Sequence, residues 1–190
     1  QGFCAQQFGD KEAKEAARLL MSYGRYASRV QAELLDDKTY NLQTGEFKGV
    51  RDEFLALEAR ALRQYLTLDE TAKDAYQELV LFPIQGMANL YDMYYSLAMN
   101  KQLYREGRIE ANTWADRVEE CYKRDSLLCD NYNHHIANGK WNHICLKYAF
   151  LRTLKEYWNM KQVFGNIYQS LVSLFAVNLQ PKQKQMYKNE

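Results

Sequence analysis

Two prolines and nine glycines in 190 residues leave this chain few places to turn. A sandwich or barrel needs a turn signal every ~8–12 residues, so an all-β fold is excluded and a mainly helical one is expected. Long apolar runs are missing too: no segment approaches the roughly 18 consecutive apolar residues of a membrane span. Neither charge is in excess. A formal net charge of +1 gives no basic face to neutralise phosphates, which argues against nucleic acid as a partner. The cysteines, Cys4, Cys121, Cys129 and Cys145, include no CxxC pair, so a zinc ribbon or thioredoxin-like site is not expected. A GxSxG elbow, a GxGxxG turn and a GxxxxGKS/T loop are absent, which removes the usual serine-nucleophile and nucleotide signals. His134 and His135 are adjacent, and on a helix they point about 100° apart, so they cannot grip one metal as an i, i+4 pair does. No metal and no cofactor is expected.

What the chain does have is ordinary globular material. With 47% hydrophobic and 26% charged residues, a chain of this length buries a core without disulfides or a metal. The charge is uneven: residues 146–190 carry a net +5 and the remainder −4, and such a basic end is most often a solvated tail. Cys121 and Cys129 lie two helical turns apart, about 12 Å along the axis, beyond the ~7 Å reach of a disulfide. They read as small buried hydrophobes and leave the redox compartment open. The sequence opens at Gln1 with no signal peptide, as expected of a processed product or an excised domain whose targeting lies upstream.

Hydrophobic periodicity gives an all-α fold: a single bundle of about five or six helices over 1–178, followed by a polar basic tail, 179–190. The first helix is expected to start with Asp10 as its N-cap and to run into the mid-thirties. Ala13, Ala16, Leu20, Gly24 and Ala27 recur along it, small enough for a neighbouring helix to come close. Asp36, Asp37, Asn41 and Gly45 mark a loop. The second helix spans about Glu46 to Tyr65, with Val50, Phe54, Leu57 and Ala61 on its stripe. A long third helix, capped by Thr67 or Asp69, continues to about Gly107 and is expected to kink near Pro83, which leaves the Leu79 carbonyl without its donor. A fourth begins at Ala111 or Asn112 and ends at Gly139. One or two more are expected between 145 and 178.

Candidate chemistry is sparse. Consecutive acids such as Glu119–Glu120 and Asp69–Glu70 sit where a helix start or a solvated face wants charge, and no pair stands out for glycosidic cleavage. No catalytic residue is assigned. Fifteen tyrosines are the enriched class. Tyrosine stripes at helical spacing serve core edges and protein interfaces more often than sugar rings, and Tyr91, Tyr94 and Leu97 are the candidates for a self-association face. The element GKWNH after the fourth helix gathers Trp141, Asn142 and His143, the candidate substrate contacts. The alternative, which the pattern favours, is a lock in which Trp141 folds back on its helix while Asn142 and His143 cap carbonyls.

Those same stretches carry a resemblance. QQFGD (6–10), YASRVQAELL (26–35), TYNL (39–42), VLFPIQGMANLYDMYY (80–95), WADRVEE (114–120) and DNYNHHIANGKWNH (130–143) together resemble the helical, post-barrel domain of glycoside hydrolase family 115, the xylan α-glucuronidases. The likeness covers about residues 5–144. It implies part of an enzyme that removes glucuronic acid or its 4-O-methyl ether from xylan, acting in the periplasm or outside the cell. It also implies that the catalytic carboxylates lie on a separate barrel, the partner of this domain, and that the helical domain helps form a homodimer. By itself the chain would then be inactive. The alternative is a free-standing helical adaptor with no carbohydrate activity. The localisation of this chain itself is left open.

Overall fold

With few breakers to stop them, the helices run long. The computed structural model describes residues 2–142, and among these α1 spans Gly2–Phe8, α2 Asp10–Ala27, α3 Glu46–Tyr65, α4 Glu70–Tyr76, α5 Phe82–Arg105 and α6 Ala111–His134. A π-helical turn, Gln77–Leu81, joins α4 to α5 without a break, so the described residues form five helices if that run is counted once. No strand occurs among them, and the fold is the all-α bundle that the composition requires. The helices expected between 145 and 178, the tail 179–190, Cys145 and His143 lie outside the described residues.

α5 is largely buried all round, which places it in the middle of the bundle. Of its 24 residues fifteen are buried. α3 and α6 flank it, each antiparallel to it. Phe47 of α3 meets Tyr95 at 5.6 Å and Phe54 meets Tyr91 at 4.4 Å between ring centroids, while Trp114 of α6 stands edge-on to Tyr95 at 5.5 Å. α1 and α2 close a second part of the core over α3 and the π turn, where Phe8 is edge-on to Tyr76 at 5.3 Å. Ala13 and Ala16 are the close-approach positions of α2, as their size suggested; Gly24 faces open space.

Several helix boundaries differ from the sequence reading. α1 was not anticipated, and Gly9 (φ 84°) rather than Asp10 precedes α2, leaving Asp10 as its first residue. α2 stops at Ala27 instead of running into the mid-thirties, because Ser28 Oγ takes up the Arg25 carbonyl at 2.9 Å and Arg29 leaves to pair with Glu53 of α3. At Pro83 the chain answers the missing N–H with the π turn just ahead: the Phe82 N–H reaches the Gln77 carbonyl, five residues back, and Pro83 then sits in the first turn of α5, where no donor is needed. The loop before α3 and α3 itself match the reading closely. Asn41 Oδ1 accepts from Gln43 N and Thr44 N at 2.8 and 3.1 Å, and Gly45 takes the left-handed φ of 77° that starts α3 at Glu46. No helix of the described residues is long and apolar enough to cross a membrane.

Candidate functional site

The corner after α6 is tight. α6 ends at His134, five residues before the glycine expected to stop it, and a 3₁₀ turn follows over Ile136–Gly139. Ala137, Asn138 and Gly139 all have positive φ, at 50°, 57° and 78°. A Cβ on Gly139 would meet the His134 carbonyl oxygen at 3.3 Å, so glycine is the residue that suits the reversal. The reversal delivers Trp141 to the π turn, where its Nε1 donates to Glu78 Oε2 at 2.9 Å, and Lys140 Nζ lies 4.3 Å from the ring. Trp141 is thus locked, as the structural alternative expected, but onto Glu78 rather than onto its own helix. Asn142 is exposed and its N–H donates to the Gly139 carbonyl at 3.2 Å. His143, the third of these residues, lies outside the described residues. His134 and His135 both turn to Asp130, at 2.9 and 3.7 Å, on exposed surface.

The proposed self-association stripe is a core stripe. Tyr91 and Leu97 are 0% exposed and Tyr94 8%, because this stretch of α5 is enclosed by its own bundle, and these three side chains offer no surface to a second copy. The interface reading of these three residues is therefore corrected.

Sequence reasoning missed the most distinctive electrostatic feature. Asn89, Asp92, Ser96 and Asn100 recur at helical spacing on α5, and all four are buried. Three of them tie α5 to α6: Asn89 Nδ2 donates to the Cys121 carbonyl at 2.9 Å, Asn100 Nδ2 to the Ala111 carbonyl at 2.7 Å, and Asp92 accepts from Arg117. Asp92 is the centre. Its Oδ2 takes Arg117 Nε and Nη2 at 2.9 and 2.6 Å, its Oδ1 takes Arg51 Nε at 2.5 Å from α3, and Cys121 Sγ lies 3.5 Å from Oδ2. Seven residues further along both flanking helices, Arg124 of α6 pairs with the buried Glu58 of α3. Burial works to lower the Arg117 pKa, but hydrogen bonds to Glu120 and Asp92 raise it on balance, so the guanidinium stays charged beside Asp92. A carboxylate so enclosed is a fixed acceptor for structure; a general acid or base must exchange its proton with a substrate.

Burial, with the Asp92 charge adding to it, pushes the Cys121 thiol up to about 12 from a free thiol's 9.0. Burial likewise raises the Tyr76 and Tyr91 hydroxyls above 10.0. In each case the folded chain holds its proton more tightly than the unfolded one. That stabilisation is complete below pH 9 and is lost as pH climbs from 9 towards 12. Urea midpoints should therefore be level near neutrality and fall on the alkaline side. Cys121→Ala should move the onset up towards the tyrosine range, and midpoints that stay level throughout would contradict the assignment.

The surface depressions are open grooves. One of about 640 Å³ lies between the 37–43 loop and the end of α5, lined among others by Asp37, Tyr40, Lys101, Arg105 and Glu106. Its two carboxylates are engaged, Asp37 by Lys101 Nζ at 2.9 Å and Glu106 by Gln102 Nε2 at 2.9 Å. Another of about 430 Å³ runs between α2 and α3 and is arginine-rich. No three His, Cys, Asp or Glu side chains among the described residues are grouped to hold a metal ion. No protein-family model matches the chain, and no curated protein matches it.

Proposed function

We propose that the chain is a non-catalytic helical module like the post-barrel domain of family 115 xylan α-glucuronidases, one that supports a catalytic barrel and self-associates. The observation behind this reading is the Asp92 cluster. It uses the most deeply buried carboxylate among the described residues as a tie between helices, and it joins VLFPIQGMANLYDMYY to WADRVEE, two of the stretches on which the resemblance rests. A module built this way contributes rigidity and surface, while the acid and base for removing glucuronic acid or its 4-O-methyl ether come from the barrel. Self-association then falls to faces other than Tyr91, Tyr94 and Leu97. Leu66 and Leu127, 77% and 70% exposed, are among the large apolar side chains open to it.

Two assays test the reading together. Incubated alone with glucuronoxylan, the chain should release no glucuronic acid; co-expressed with a family 115 barrel stripped of its own helical domain, it should co-purify with that barrel. Release by the chain alone, or failure to associate with the barrel, would sink it. A second reading, a free-standing helical adaptor, draws on the same exposed leucines and predicts no affinity for the barrel.

A further inference from the structure

The arginine-rich groove between α2 and α3 has no role in either reading above. Arg18, Met21, Ser22 and Arg25 of α2 and Arg60 of α3 enclose about 430 Å³. Arg18 and Arg25 are exposed and lie on one face of α2, two turns or about 10.5 Å apart. Among the described residues neither has a carboxylate within ion-pair distance, and the Arg25 guanidinium lies 5.3 Å from the Tyr26 ring. Arg60 is held in place instead, its Nε and Nη2 donating to Glu15 Oε1 at 3.1 and 2.7 Å. Between the arginines Met21 is 76% exposed, an unbranched and polarisable side chain that adapts to an apolar neighbour.

We propose that this groove docks an acidic amphipathic helix of a partner protein. Two guanidinium forks two turns apart match carboxylates at i and i+7 of such a helix, each able to take two parallel N–H···O bonds. The residue at i+3 or i+4, on the same face, would then lie over Met21 and is best apolar. Charge also bears on broader polyanions. Exposed Lys11 and Lys14 continue the basic face of α2, but the adjoining depression on the α3 side is lined by Glu12 and Glu15 with Arg60 and Arg63, so a duplex or an anionic bilayer wide enough to cover both would meet carboxylates. A single acidic helix lying along α2 avoids them.

The probe is a fluorescein-labelled helical peptide with two glutamates two turns apart and leucine between them, titrated with the full chain at low salt and followed by anisotropy. Binding should weaken with added salt and by about tenfold or more in Arg18→Glu/Arg25→Glu, as expected when paired charges are reversed. A peptide with glutamine for both glutamates should bind as weakly as that variant. Should the double variant lose its helical circular dichroism, Met21→Glu carries the same expectation from an exposed position. No binding at about 1 mM peptide, a level at which even ~4 kcal/mol would show, overturns the proposal. So does equal binding by the variant or by the glutamine peptide. Arginine-dependent binding of phosphatidylserine vesicles or of a DNA duplex, without the peptide, would overturn it in favour of those partners.

Discussion

Asp92→Ala should lower the stability of the bundle by about 3 kcal/mol, read as a lower urea midpoint with an unchanged slope. Asp92 is 0% exposed and holds one arginine from each flanking helix, so its removal leaves two guanidinium groups facing one another without the charge between them. The loss belongs at the low end for a buried pair because both arginines keep some access to water. Arg117 also retains Glu120 at 2.8 Å. Arg51→Met and Arg117→Met probe the other side. Each alone leaves Asp92 one guanidinium, at about 1–3 kcal/mol, the cost of a lost charged hydrogen bond. Together they leave a buried carboxylate with only the Cys121 thiol at 3.5 Å, and the double loss should exceed the sum of the single ones. Additive losses would mean that the two arginines do not act through one carboxylate. Replacing all three groups by apolar ones of similar size is the informative contrast. A buried ion cluster is often no more stable than a packed apolar set, so little net change would mark the cluster as a device that registers α3 against α6 across α5.

Composition and period made the fold legible; the site was legible only in part. α3 could be placed to the residue because Gly45 and Asn41 build its start and the Phe54–Leu57–Ala61 stripe is clean. α1 was hidden by its brevity, seven residues ahead of a glycine. The π turn was hidden because Pro83 signals a disturbance without saying how the helix absorbs it. The polar row on α5 could have been read: Asn89, Asp92, Ser96 and Asn100 share one face of an otherwise apolar helix, and that spacing alone says they meet something polar. What no local pattern supplies is the partner. Arg51 and Arg117 look like ordinary solvated positions on amphipathic helices until tertiary packing turns both towards the same carboxylate. Tyr91, Tyr94 and Leu97 were assigned to an interface for the converse reason. Apart from that polar row α5 is apolar around its circumference, so a stripe for a neighbour in the same chain looks like a stripe for a second copy.

That ambiguity is settled at Tyr91. Tyr91→Ala should cost about 3–5 kcal/mol, the range for truncating a buried aromatic ring to alanine. The ring lies 4.4 Å from Phe54 and 6.1 Å from Tyr40 between centroids, so truncation leaves both without a partner on that side. Tyr91→Phe should cost less than about 1 kcal/mol, because the hydroxyl it removes makes only one long contact, 3.4 Å to the Tyr40 hydroxyl. Protein concentration separates a core role from an interface role. Loss of a core ring lowers the urea midpoint by the same amount at every concentration, whereas loss of an interface ring lowers the mass seen by light scattering and makes the midpoint concentration-dependent. A Tyr91→Ala chain that keeps its midpoint and loses mass would return α5 to the surface. The fully buried ring and the Phe54 packed against it give the opposite expectation: a large, concentration-independent loss.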